Sequence, residues 1–318
     1  MFLVQKNSLH RFPFFPSSPP KSPPASLARP FEDALAARLL SLLPLPDSSP
    51  SLALSWLARA VRLLALALSD AAALIPDATS SSSSDRDAVA AYLDSGVALL
   101  DACNAASAEV DRLLRRRLHL RFALHLLSSS DEGRDPEKLR RARDSLAEWR
   151  SSSPRPTGDL ARSLAPAHPP RGKLSAVRRA IYAVEAVSFL LSGALASALG
   201  GGDVAALVPA DLPWANEYRK VAAAVSHKLA RDCRPAELEA VESAVKKMTD
   251  VMDGIQSNGD GGNSESLRKA VEATEKATGE LTEALDALSG AVNEVFRSAL
   301  ALRNTALHGF RAGPAGCK

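Results

Sequence analysis

Apolar residues recur at helical spacing through most of the chain, and the two longest uninterrupted runs set the frame for the rest. The first, from Tyr92 to Leu127, reads YLDSGVALLDACNAASAEVDRLLRRRLHLRFALHLL. It holds no Pro and no stop signal after Gly96, which predicts one long central helix. On a projection of about 100° per residue, Leu93, Val97, Leu100, Val110, Leu114, Leu118 and Phe122 fall on one side, with Asp94, Asp101, Asp111 and Arg112 largely off it. Asn104 and Ser107 share the apolar side. They either fix the register of a bundle or bond the neighbouring backbone, the second reading being favoured. In the second run Leu267, Val271, Thr274, Thr278, Leu281, Leu285, Leu288, Val292, Val295, Ala299, Leu302 and Ala306 alternate spacings of four and three, a coiled-coil-like seam. A seam inside one molecule is favoured over self-association, so Leu285 is either a core residue or an exposed partner anchor, and a monomer is the expected state.

Breaks between the periodic runs divide the chain. Residues 1–30 are Pro- and Ser-rich and carry no acid, and they read as a disordered tail. Residues 31–150 form an N-terminal helical half: a short helix from Phe31 to Leu43, a second from Ser51 to Ile75 closed by Pro76, a serine loop from Ser80 to Ser84, the central helix, and a helix capped by Asp135. Residues 151–172 are a basic, Pro-rich linker, and residues 173–310 form a C-terminal helical half, followed by a short disordered tail at 311–318. Ala180 to Leu199 has Glu185 as its only charge. Because Glu185, Ser188 and Ser192 share one face, a centrally buried helix is preferred to a membrane span or a surface-lying helix. The expected fold is all-α, an elongated multi-helix bundle with long central and C-terminal helices.

Composition agrees with this reading. The chain is 46% hydrophobic but only 5% aromatic, so its core must be built from Leu, Ala and Val, with Ala and Leu favouring helix. A net charge of +3 from 39 basic and 36 acidic residues is too weak for a default nucleic-acid partner. Cys103, Cys233 and Cys317 lie far apart without CxxC spacing, which argues against a disulfide framework or zinc site and fits a reducing compartment. The start lacks the long apolar stretch of a secretory signal. Its acid-free bias is shared with plastid transit peptides, but Pro at this density opposes their amphipathic helix. The expected location is the cytoplasm, with the chloroplast or a peripheral endomembrane surface as alternatives.

Candidate chemistry is sparse. The six histidines show no metal-binding spacing, and the loop beginning at Asp253 fails the Ca²⁺-loop pattern because Ile255 and Asn258 stand where a donor and a glycine are needed. Glu32 and Asp33 read as capping residues on a solvated first turn. No catalytic, cofactor-binding or metal-binding residue is assigned. The basic run offers Arg112, Arg116 and His119 near one outward side. These form a solvated, salt-bridged face in the favoured reading and an anionic-lipid or phosphate patch in the other. Ser18, Ser22 and Ser153, each before a proline, are candidate phosphorylation sites that would alter partner binding electrostatically. An enzyme would require Cys103, Asn104, His125 and Glu185 to meet in space.

The ordered segments LALSWLARAVRLL, YLDSGVALLDACNAASAEVDRL, RRAIYAVEAVSFLLSGALASAL, PWANEYRKVAAAVSHKL and AVNEVFRSALALRNTAL together resemble the plant BYPASS family over most of the chain. The Ala-rich segment after the linker looks closer to the BYPASS branch than to the related Roh branch, whose members are linked to exocyst partners. The resemblance implies an all-helical, non-enzymatic regulatory or interaction protein that restrains a root-derived mobile signal which otherwise arrests shoot growth. The alternative it implies is a helical adaptor in vesicle trafficking with peripheral membrane contact. Protein partners are expected on either reading.

Overall fold

The computed structural model describes residues 25–43, 51–81, 83–128, 135–151, 163–165, 174–200, 211–231, 234–258 and 263–311. Every regular element among them is an α-helix: α1 (Ala25–Ser41), α2 (Leu54–Ser81), α3 (Ser83–Ser128), α4 (Pro136–Ser151), α5 (Ala176–Gly200), α6 (Ala215–Arg231), α7 (Ala236–Asn258) and α8 (Asn263–Arg311). The expected all-α bundle is what the chain forms.

All the residues of the predicted C-terminal seam, from Leu267 to Ala306, are buried along α8. Its polar members fit because Thr274 and Thr278 turn their hydroxyls back to the carbonyls of Ala270 and Thr274. The largest helix–helix interface joins α8 to α2, and α8 also packs on α3 and α7. Val61 and Leu64 meet Val292 and Val295, while Ala71 and Ile75 meet Leu302, so α2 and α8 run parallel. A helix from the C-terminal half thus fills the core of the N-terminal half, and the two halves complete one bundle. The start of α2 is tied to the same half, because the Glu237 carboxylate accepts from the backbone N–H groups of Leu54 and Ser55 and so caps the helix.

Helix α3 departs from its predicted stripe. The buried face runs Val89, Tyr92, Leu99, Cys103, Ala106, Val110, Leu113, Leu120, Leu124 and Leu127, whereas Val97, Leu118 and Phe122 are 45%, 55% and 51% exposed. The buried positions alternate spacings of three and four, a period of about 3.5, and a projection at 3.6 drifts from it by about 20° per heptad. Over five heptads that error exceeds a quarter turn. Asn104, expected on the apolar side, is exposed, and Cys103 and Ala106 occupy the interior instead.

Three boundaries also shift. Helix α1 begins at Ala25, so residues 25–30 of the expected tail are helical, with Pro30 inside the helix and Ala28 buried. Helix α2 continues past Pro76 to Ser81 and α3 starts at Ser83, so Ser80, Ser81, Ser83 and Ser84 are helical where a loop was expected, serine carrying only a modest helix penalty at the ends of two long helices. Glu32 is buried at 1% exposure, not on a solvated turn. It accepts two hydrogen bonds from the Arg179 guanidinium at 2.7 and 2.6 Å, joining α1 to α5. Asp135 caps α4 as predicted, accepting from the Glu137 N–H at 3.0 Å.

Helix α5 is long and apolar enough to cross a membrane, and most of that apolar length is buried inside the bundle. It packs on α1, α2, α3 and α6. Behind it, Trp214 stacks edge-on to Tyr218 with ring centroids 5.7 Å apart and lies 6.2 Å from Tyr182.

Candidate functional site

Helices α3 and α5 run side by side in the same direction. Ser175 Oγ donates to Asp85 at the start of the pair, and Ser95 Oγ donates to Glu185 Oε1 at 3.1 Å ten residues further along each helix. Ser175 also caps α5, accepting from the Arg178 N–H. From Ala88 and Arg178 to Leu99 and Ser188 the helices part around a cleft of about 360 Å³, which the Ser95–Glu185 tie crosses. Ala88, Ala91 and Gly96 on α3 are too small to fill it, and a Cβ built on Gly96 meets nothing within 4 Å. Leu164 from the linker closes one side and is itself buried.

The walls are apolar, with Leu99 and Ile181 prominent, and a few polar groups converge on them. Burial raises the Glu185 carboxyl above the usual carboxylate range, against the opposing hydrogen bond from Ser95. Burial also raises the Tyr92 phenol, with the nearby Glu185 charge adding to the effect. Ser188 Oγ, one helical turn beyond Glu185, is buried without a hydrogen-bond partner among the described residues. Arg178 lines the other end and donates to Ser84 Oγ at 3.3 Å. Sequence reasoning identified the Glu185–Ser188 face but not the cleft. Its signal was Ala88, Ala91, Ser95 and Gly96, four small residues on one face of a helix otherwise rich in leucine.

The remaining candidates lie elsewhere. Arg112 grips the buried Glu109 carboxylate with three hydrogen bonds, and Arg116 stacks over the Trp149 ring at 4.3 Å while donating to the Trp149 carbonyl. Burial lowers the Arg116 pKa. His119 is exposed, and its carbonyl accepts from Ser145 Oγ at 2.6 Å. Two of these three residues are thus committed to internal contacts rather than presented as one basic face. Leu285 is fully buried. Ser18, Ser22 and Ser153 lie outside the described residues.

The residues that an enzyme reading requires do not meet. Cys103 sits among Leu64, Leu99, Leu195 and Val295, where burial pushes its thiol up to about 12. His125 is some 33 Å further along the same helix at about 1.5 Å per residue. Asn104 faces solvent and Glu185 lines the cleft. Among the described residues no group of His, Cys, Asp and Glu could hold a metal ion.

Comparison with known proteins decides the lineage. The chain is 31% identical over 303 residues to Protein BPS1, chloroplastic, of Arabidopsis thaliana, covering 89% of this chain and 83% of the relative. It belongs to the BYPASS-related family. Members named UPF0496 protein 4 in Oryza sativa, subspecies indica and japonica, are 33% and 32% identical over 69% of this chain, which spans about half (52%) of their length. None of these family names describes an enzyme. No family model matches the chain, and no solved structure matches it.

Proposed function

We propose that this BYPASS-related protein is a non-enzymatic regulator that restrains a root-derived mobile signal which otherwise arrests shoot growth. The observation that carries the reading is the near end-to-end similarity to BPS1, which spans both helical halves and the linker between them. The scattered positions of Cys103, His125 and Glu185 support a regulatory rather than a catalytic role. The word chloroplastic in the relative's name favours the plastid over the cytoplasm as the place of action. Expression of this chain in a plant lacking BPS1 tests the proposal: shoot growth is restored, and a fluorescent fusion reports the compartment. Stable accumulation of the protein without any restoration of growth refutes it.

A second reading, a helical adaptor at a membrane, is favoured by one surface feature. Leu118 and Phe122 lie one turn apart on α3, both about half exposed, beside exposed Arg115 and Arg121. On that reading the chain sediments with vesicles containing an anionic phospholipid, and the double variant Leu118→Ser, Phe122→Ser stays in the supernatant. Equal sedimentation of both proteins removes this reading.

A further inference from the structure

The cleft between α3 and α5 differs from an imperfect helix contact in the polar groups it gathers. Glu185 Oε1 accepts from Ser95, and no donor among the described residues reaches Oε2. A half-buried carboxylate oxygen left open on an apolar wall matches one chemical group, a hydroxyl that donates to Glu185. Arg178 lines the cavity seven residues earlier on the same face of α5, about 10 Å away along the helix axis. Its guanidinium suits a carboxylate. Between these ends the walls are Leu99, Ile181 and Leu164, an apolar passage in a cavity of about 360 Å³, within the size range of small-molecule sites.

We propose that the cleft binds a small hydroxy acid with an apolar body, its hydroxyl held by Glu185 and its carboxylate by Arg178. The site does not rest on the developmental role, and binding in vitro is read separately from rescue in plants.

The full chain is titrated with 4-hydroxycinnamate by calorimetry and saturation-transfer NMR. Cinnamate, which lacks the hydroxyl, and 4-vinylphenol, which lacks the carboxylate, serve as comparators. The expected result is binding of 4-hydroxycinnamate with each comparator weaker by about tenfold or more, the scale of losing one hydrogen bond or ion pair. Gly96→Leu fills the cleft from a position where an added Cβ meets no neighbour, and it abolishes binding without lowering the melting temperature. Arg178→Met, at the polar end, erases the preference for 4-hydroxycinnamate over 4-vinylphenol. No binding at about 1 mM, a free energy near −4 kcal/mol, overturns the proposal. So does undiminished binding by Gly96→Leu, or a preference that survives Arg178→Met.

Discussion

Leu285→Ala measures how much of the bundle hangs on the α8 seam. Leu285 is 0% exposed and lies midway along a helix whose largest interface is with α2. Truncation removes three buried carbons and leaves a void that two long, well-anchored helices cannot close. The expected cost is therefore in the upper part of the ~2–5 kcal/mol range for such changes. At roughly 2 °C per kcal/mol for a chain of this size, melting falls by about 6–10 °C. Urea unfolding followed by circular dichroism checks the same quantity, with the midpoint lowered and the slope unchanged. The paired control is Leu118→Ala, the same chemistry on α3 at a position 55% exposed, where the change stays within about 0.5 kcal/mol. The comparison matters because projection of the sequence places both leucines on apolar stripes. If the two substitutions cost the same, or Leu118→Ala costs more, the burial argument fails for both helices.

Three further outcomes follow from individual contacts. Arg179→Ala leaves the buried Glu32 carboxylate without its two hydrogen bonds and lowers stability by about 3–5 kcal/mol, while the double variant with Glu32→Ala is less destabilised than Arg179→Ala alone; an additive double-mutant cycle contradicts this. Gly279→Ala and Gly290→Ala each raise stability by up to about 1 kcal/mol, since both sit inside α8 with no atom within 4 Å of an added Cβ; a lowered melting point for either shows a hidden clash. Glu185 has a folded pKa raised above its unfolded value, so the folded state binds the extra proton. Its effect favours folding at low pH and is lost as pH rises from about 4.5 upward through the folded pKa. Glu185→Gln therefore flattens the stability–pH curve above the usual carboxylate range and is more stable than the parent at neutral pH; a variant whose curve runs parallel to the parent's contradicts this.

How much of this was legible in the sequence depended on the period of each pattern. Along α8 the alternation of four and three was read directly from residue spacing, with no assumed projection angle, and Leu267 through Ala306 are buried as expected. Along α3 the same 3.5-residue period was hidden, because Gly96, Cys103, Ala106 and Arg117 occupy its seam while Val97, Leu118 and Phe122 occupy solvent. A chain whose leucines lie on both faces gives no contrast for a projection to detect. The buried charges were missed for another reason. Glu32 and Arg179 are separated by 147 positions, and only the packing of α1 on α5 brings them together. The cleft needed both kinds of information: small residues local to α3, and a neighbour that sequence spacing cannot name.

That neighbour is set by polar contacts more than by shape. The buried face of α5 is Ala, Val and Leu along most of its length, so its polar contacts are the distinctive markers of its register. Three ties mark it: Arg179 to Glu32, Ser175 to Asp85, and Glu185 to Ser95. A shift of one residue rotates each group by about 100° and breaks all three. It also turns Glu185 toward an apolar wall, where a carboxylate is costly. The register so fixed places Ile181 and Glu185 opposite the small face of Ala88, Ala91 and Gly96, and the gap opens there. Further along, Leu191 and Leu195 meet Leu99, Cys103 and Ala106, and the space between the helices narrows to a void of about 30 Å³. The cleft thus lies alongside the polar ties that hold α5 in place and is crossed by one of them, so substitutions that loosen Glu185 change its shape before they unfold the bundle.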